Sequence, residues 1–294
     1  MGRLFKAFFF KLSKDLAFRI TLIIGAGLAI LMTGLYLLID LGLGTFGETG
    51  LKFLTGPNML LSSLSPVDNF GLAIPINLIT FVCLEFSQGT IRNKIIAGHS
   101  KFKIYSALVI SGLILAFSLL TVYVGLCTLL GTIFGGFNLD DPTINMTSIA
   151  SMMGSGYTSS WYIWQMLITA IVVYICIVSF TVFFAALFRN IGPCIPIVII
   201  SLMILSVGGS LVSMIAGALE NDGLVNFVKA VDPLFVISGG GSATEYATDS
   251  TGENLIAYTV VETSAFICTI INNLVYAGIF FAGGALIFKK RDVK

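Results

Sequence analysis

The sequence predicts an all-α membrane protein: one transmembrane domain over residues 1–294, with about six transmembrane helices, an N-terminal amphipathic interfacial helix and both termini cytoplasmic. Three observations predict it. Hydrophobic residues make up 56% of the chain and charged residues only 11%, with a mean hydropathy of +0.99. A soluble domain carries roughly 25% charged residues, so this supply cannot build a water-facing surface. Apolar runs of spanning length recur along the chain, and basic and acidic residues alternate between the segments that join them.

In residues 1–16, Leu4, Phe5, Phe8, Phe9, Leu12 and Leu16 fall on one arc at helical spacing, with Arg3, Lys6, Ser13 and Lys14 opposite. That pattern suits a helix lying flat on an anionic leaflet and not a removable signal peptide. The first span is expected over about 18–39, ended by Asp40. The segment holding Gly42, Gly44, Gly47, Gly50 and Gly56 is too glycine-rich for a stable helix. A second span, with Pro75 in its first half, covers about 70–86, and a third about 105–134. Between them lies a short basic stretch with Arg92, Lys94, His99, Lys101 and Lys103.

After a loop with Asp140 and Asp141, Trp161 and Trp164 open a fourth span over about 161–188, the position of an interfacial aromatic belt. Arg189, Asn190, Gly192 and Pro193 make a turn into a fifth span over about 193–219. A long polar segment, 220–262, holds acids, glycines and a single lysine, Lys229. The sixth span covers about 265–288 and is closed by Lys289, Lys290, Arg291 and Lys294.

Cations gather at the N-terminus, after span two, after span four and in the tail, whereas only Lys52 and Lys229 lie in the alternate segments. Acids do the reverse, at Asp40, Glu48, Asp68, Asp140, Asp141, Glu220, Asp222, Asp232, Glu245, Asp249, Glu253 and Glu262. The positive-inside rule therefore places the cation-rich segments in the cytoplasm.

The span interiors lack ionisable groups, apart from Glu85 at the cytoplasmic end of span two. This argues against an ion-coupled carrier, which usually keeps ligands near mid-membrane. With His99 as the single histidine, neither a histidine zinc site nor a Ser/His/Asp triad has its parts. The Gly239–Gly241 run lacks the lysine of a phosphate loop, so the chain reads as non-catalytic, with no cofactor or metal of its own. The five cysteines, Cys83, Cys127, Cys176, Cys194 and Cys268, sit in or beside apolar runs without a CxxC pair and read as packing residues.

The most informative stretch runs from Glu85 to Lys101. Its middle is helical in pattern, with Ile91, Ile95 and Ile96 forming an apolar face and Arg92, Asn93 and Lys94 pointing elsewhere. Such a helix can lie across the inner membrane face and offer side chains to a cytoplasmic partner. Glu85-Phe86, Gly89-Thr90-Ile91-Arg92 and Gly98-His99-Ser100-Lys101 together resemble the corresponding motifs in permease subunits of type-two ATP-binding-cassette transporters. The layout is similar too: an amphipathic leading helix, six spans, a large outer segment before the last span and a basic tail.

The resemblance implies that Glu85, Gln88, Gly89, Thr90, Ile91, Arg92, Asn93 and Lys94 form a partner-coupling element, with 88–97 seated in a groove on a cytoplasmic nucleotide-binding ATPase. Glu85 would anchor it by pairing with Arg92 or with a basic residue of the leading helix. Read without the family, Glu85 only marks the water boundary, and Arg92 and Lys94 only satisfy the positive-inside rule. Arg189 and Asn190 would be a second coupling turn. ATP and Mg would bind the partner ATPase, and the permease would work as a homodimer or beside a second permease.

Gly131 and Gly135, at GxxxG spacing, with Gly278, Gly283 and Gly284, allow close helix approach within one subunit or between two. Asn77, Gln165, Asn272 and Asn273 are the polar residues within spans, suited either to lining a path or to hydrogen bonding between helices. The Asn145-Met146-Thr147 sequon stands alone and is taken as chance. The expected function is export of amphipathic or hydrophobic compounds, such as peptides, antibiotics or lipids, across a bacterial plasma membrane. The alternative is an ion-coupled secondary transporter or channel acting without an ATPase.

Overall fold

The computed structural model describes residues 10–11, 14–44, 54–65, 71–137, 157–158, 160–218, 222–237, 241–248 and 255–290. Most of the 1–16 helix, the tail cations Arg291 and Lys294, Lys52, the acids at 48, 68, 140, 141, 220, 249 and 253, the sequon and Gly239–Gly240 lie outside these residues.

The elements are α1 (Leu16–Gly44), α2 (Gly56–Ser63), α3 (Ala73–Ser87), α4 (Thr90–Ile96), α5 (Lys101–Gly135), β1 (Tyr157–Thr158), α6 (Ser160–Phe188), α7 (Ile191–Ala218), α8 (Asp222–Val231), β2 (Ser242–Thr248), β3 (Leu255–Val261) and α9 (Thr263–Lys290). Five of them, α1, α5, α6, α7 and α9, are long and apolar enough to cross a bilayer, and the chain is a multi-pass helical membrane protein. Their bounds follow the sequence expectation for spans one, three, four, five and six within a few residues. Lys11, Lys94, Lys101, Arg189 and Lys289 all meet at one end of the bundle, which we call the basic end.

The second span departs from the expectation of one continuous helix over 70–86. Helix α3 has only 15 residues, about 22 Å at 1.5 Å per residue, against a hydrocarbon core of ~30 Å. Helix α2 precedes it in the chain. Thr55 caps α2, accepting the Asn58 N–H at 3.4 Å, and Pro57 stands in its first turn, so the end of the glycine-rich segment starts a helix after all. Gly56 N–H bonds Gly136 O at 2.9 Å at the far end of α5, and Met59 lies against Gly131. By Ser65 the chain has descended to Tyr174, whose hydroxyl donates to the Ser65 carbonyl at 3.5 Å. Tyr174 lies about 21 Å above the basic end of α6. Helix α2 thus packs toward the far end of α5, whereas α3 ends at the basic end, and the two are separate helices.

The GxxxG pair is used inside the subunit. A Cβ on Gly135 would overlap the Leu54 carbonyl oxygen, and one on Gly131 would press on Met59. Removing both side chains is what lets the 54–59 segment lie directly on α5.

Helix α6 is central, packed against α3, α5 and α9, with Leu78, Val82, Leu108, Leu115, Val173, Val178 and Val182 buried between them. Helix α1 packs chiefly on α5 and leaves Ile20, Ile23, Leu31 and Leu35 exposed along its outer side. Those side chains face hydrocarbon at no cost.

The segment 220–262 holds more structure than the polar loop expected of it, within a chain that is mostly helical. Its strands β2 and β3 join β1, which precedes α6, in a three-stranded sheet of order β1-β3-β2, with β1 parallel and β2 antiparallel to β3; Tyr157 pairs with Tyr258 and Ser242 with Val261. Helix α8 turns back into the bundle. Asn272 Nδ2 donates to Lys229 O and Ala230 O at 3.2 and 2.8 Å, Asn273 Nδ2 to Pro233 O at 2.8 Å, and Tyr276 Oη to Val231 O at 3.0 Å. Since Asn273 lies about 15 Å along α9 from the sheet, the turn after α8 is re-entrant. Val225, Val228, Lys229 and Asp232, at i, i+3, i+4 and i+7, point inward, while Leu224, Phe227 and Val231 are exposed. Lys229 and Asp232 are thus buried while three large apolar side chains of the same helix stay exposed, which suits an apolar surround on that side.

Candidate functional site

The motif residues converge at the basic end. Helix α3 stops at Ser87, and Gly89 at φ +65° lets the chain turn into α4, a conformation that a Cβ would strain. The turn returns α4 under the end of α3 at a bend of 57°. Glu85 is fully buried there, and each of its carboxylate oxygens faces an ammonium: Lys11 Nζ lies 2.7 Å from Oε1 and Lys94 Nζ 2.7 Å from Oε2. The Thr90 hydroxyl lies within donating range of Oε2, at 2.6 Å, and of the Glu85 carbonyl oxygen, at 2.8 Å. Lys11 also donates to Gln88 Oε1 at 3.0 Å.

A carboxylate taken wholly out of water is tolerable only with such partners. Burial, the largest influence, lowers the Lys94 ammonium below the ordinary lysine value, and Lys11 adds to this against the opposing pull of Glu85. The cluster fastens three pieces of chain together: the leading segment, the end of α3, and α4.

Two expectations about α4 are corrected. Lys94 does not point away from the membrane domain but into it, at Glu85; of the two partners expected for Glu85, it is the basic residue of the leading segment, Lys11, and not Arg92 that pairs with it. Ile91 is buried and Ile95 packs on the core, but Ile96 is 74% exposed. Helical geometry explains both. Positions i, i+3 and i+4 share a face, so Ile91, Lys94 and Ile95 look inward, whereas i+5 lies about 140° around the helix. The outward surface is therefore Gln88, Arg92, Asn93 and Ile96, all exposed.

The second turn adjoins this cluster. Arg189 adopts φ +57° after α6, its N–H bonding Ala185 O at 2.9 Å, and its guanidinium lies over the Phe86 ring, 5.4 Å from the centroid. Phe86 in turn meets Phe288 of α9 edge-on at 5.9 Å. Asn190 is exposed and accepts the Gly192 N–H at 3.4 Å, at the start of α7. Glu85-Phe86 is thus a hub: the carboxylate gathers α4 and the leading segment, and the ring gathers the α6–α7 turn and α9.

No family model, curated protein or solved structure matches this chain.

The polar span residues are scattered across the bundle. Asn77 donates to the Thr21 hydroxyl and ties α3 to α1. Gln165 clamps the end of β3, donating to Val261 O at 3.1 Å and accepting Val261 N–H at 3.2 Å. Asn272 and Asn273 hold the re-entrant turn, and Asn273 also borders a cavity.

Sequence reasoning missed two polar groups of the re-entrant segment. Asp232 is 5% exposed and packs against Gly209 of α7, with Oδ1 accepting the Leu234 N–H at 2.9 Å and Oδ2 buried without a hydrogen-bond partner among the described residues. Lys229 pairs with Glu262 at 2.9 Å and with the Ser264 hydroxyl. The Ser264 hydroxyl, first, and Lys229 hold the Glu262 carboxyl below the usual glutamate value. The available signal was the helical spacing of Val225, Val228 and Asp232 in a segment otherwise read as loop.

Proposed function

We propose that this chain is the membrane-spanning subunit of an ATP-driven exporter of amphipathic or hydrophobic compounds, coupled to a separate cytoplasmic ATPase through residues 88–97. The cation-rich end is its cytoplasmic side under the positive-inside rule, in a bacterial plasma membrane. The carrying observation is the two-sidedness of α4: Lys94 and Thr90 lock its inner side to the Glu85 carboxylate, while Arg92, Asn93 and Ile96 are exposed on its outer side.

A force applied to that outer side moves α3 instead of merely flexing a loop, because the ion pair makes the two helices one lever. Arg189, resting on Phe86, adds α6 and α7 to the same lever. ATP and Mg bind the partner ATPase, whose closure drives the spans. The working unit is a homodimer or a pair with a second permease, since six passes alone enclose little space.

The test is co-reconstitution with a co-purifying ATPase. Arg92→Glu with Ile96→Asp is expected to abolish membrane-subunit-dependent stimulation of ATP hydrolysis while the protein inserts and melts normally; unchanged stimulation rejects the proposal. A second reading, an ion-coupled carrier, draws support from the short, separate helices α2 and α3, because discontinuous helices supply ligands in such carriers. Gradient-driven transport in liposomes by the purified chain alone would establish it.

A further inference from the structure

The turn that follows α8 carries a buried acid with no cation beside it among the described residues. Asp232 Oδ1 has the Leu234 N–H, whereas Oδ2 lies where a Cβ on Gly209 of α7 would fall and has no donor among the described residues. The turn itself is buried, with Leu234, Phe235, Val236 and Ile237 packed into the core.

Each element around the turn can be searched for a counter-charge. Helix α7 has no acid, lysine, arginine or histidine along its length. On α8, Lys229 lies one turn before Asp232, but its Nζ is held by Glu262 at 2.9 Å and by the Ser264 hydroxyl. Asp222, the other acid of α8, begins that helix about 15 Å away. On α9, Asn272, Asn273 and Tyr276 donate to main-chain carbonyls, and Lys289 and Lys290 stand at its opposite end. Helix α6 offers the Cys176 thiol below the turn and no cation. An ionised carboxylate so placed has exchanged its hydration for one N–H, which costs far more than burying the neutral acid. Burial therefore pushes the Asp232 carboxyl up to about 6, against the opposing pull of the Leu234 N–H.

We propose that Asp232 is a proton-operated latch: with a proton on its carboxyl it keeps the turn 232–237 docked against Gly209 of α7, and on losing that proton it loosens the turn toward the side opposite the basic end. Val231, Pro233 and Leu234 also close a cavity of about 210 Å³ between α7 and α9, so loosening the turn opens that cavity and acid shuts it. The sign follows from linkage. A carboxyl whose docked value is raised favours docking fully below its released value and loses that contribution as pH rises through the docked one. With 3.8 released and about 6 docked, the docked-to-released ratio falls about tenfold between pH 5 and pH 8. Helix α8 itself stays tied by Lys229 and Glu262, a pair that comes apart only below about pH 4.5, so the two titrations have opposite sign. The latch is independent of what powers the protein.

The test is amide hydrogen exchange of the full chain in phosphatidylcholine nanodiscs from pH 5 to pH 8, each rate divided by the intrinsic chemical rate at that pH to give a protection factor. Protection across Asp232–Ile237 is expected to fall about tenfold over that range in the parent, while α5 and α6 stay unchanged. Asp232→Asn keeps an acceptor for the Leu234 N–H without the charge, and its protection is expected to stay within about twofold throughout. If Asp232→Asn melts abnormally, Asp232→Ser, likewise an uncharged acceptor, takes its place. Glu262→Gln is expected to keep the fall. Flat protection in the parent, a fall that persists without the Asp232 carboxyl, or a fall abolished by Glu262→Gln overturns the inference.

Discussion

The Glu85 cluster can be taken apart one charge at a time. Lys94→Met leaves a fully buried carboxylate with Lys11 and Thr90 alone. Removing one partner of a buried pair costs about 3 kcal/mol. Lys11 is 38% exposed, so Lys11→Met is discounted for solvent screening to about 0.5 kcal/mol. Arg92→Met, on the exposed side of the same short helix, is a charge-matched control expected to stay within about 0.5 kcal/mol. At roughly 2–4 °C per kcal/mol for a chain of this size, Lys94→Met is expected to melt about 6–12 °C lower in nanodiscs and Arg92→Met within about 2 °C of the parent. Glu85→Gln combined with Lys94→Met removes both charges, and the double variant is expected to be about 2 kcal/mol more stable than the two single effects summed. Equal melting of Lys94→Met and Arg92→Met, or strict additivity in the double variant, would refute the lock between α3 and α4.

Gly135→Ala places a methyl group on the Leu54 carbonyl and is expected to displace the 54–59 segment, raising amide exchange across α2, whereas Gly278→Ala, with open space around it, changes nothing. Gln165→Leu leaves the Val261 N–H and C=O unpaired, a cost of about 3 kcal/mol, and is expected to raise exchange through Leu255–Val261 before the spans melt. Glu262 is held below its ordinary value of 4.5, so its tie to Lys229 is complete above that pH and lost as pH falls through the lowered value. Protease access to α8 is therefore expected to rise only below about pH 4.5, and Glu262→Gln to abolish the change; a rise centred near neutrality would contradict the assignment.

The long helices were legible because hydrocarbon imposes length and composition on a span, and nothing in α1, α5, α6, α7 or α9 competes with that demand. The pairing of Glu85 with a lysine of the leading segment was legible too, since a carboxylate at that position needs a cation within reach. What escaped was set by distant contacts. Helix α2 exists because Gly131 and Gly135, more than seventy residues away, make room for it, and the turn at Asp232 fits because Gly209 lacks a side chain. Neither appears in local periodicity. Ile96 was misplaced for a simpler reason: a helix of seven residues was assigned an i+5 neighbour that its own pitch carries to the other side.

The separation of α2 from α3 bears on how the chain is made. Fifteen residues are too few to be recognised as a span when they leave the ribosome, and eight are fewer still. Neither helix alone has the length of a span, so their place rests on neighbours, above all on α5, whose Gly131 and Gly135 receive the 54–59 segment.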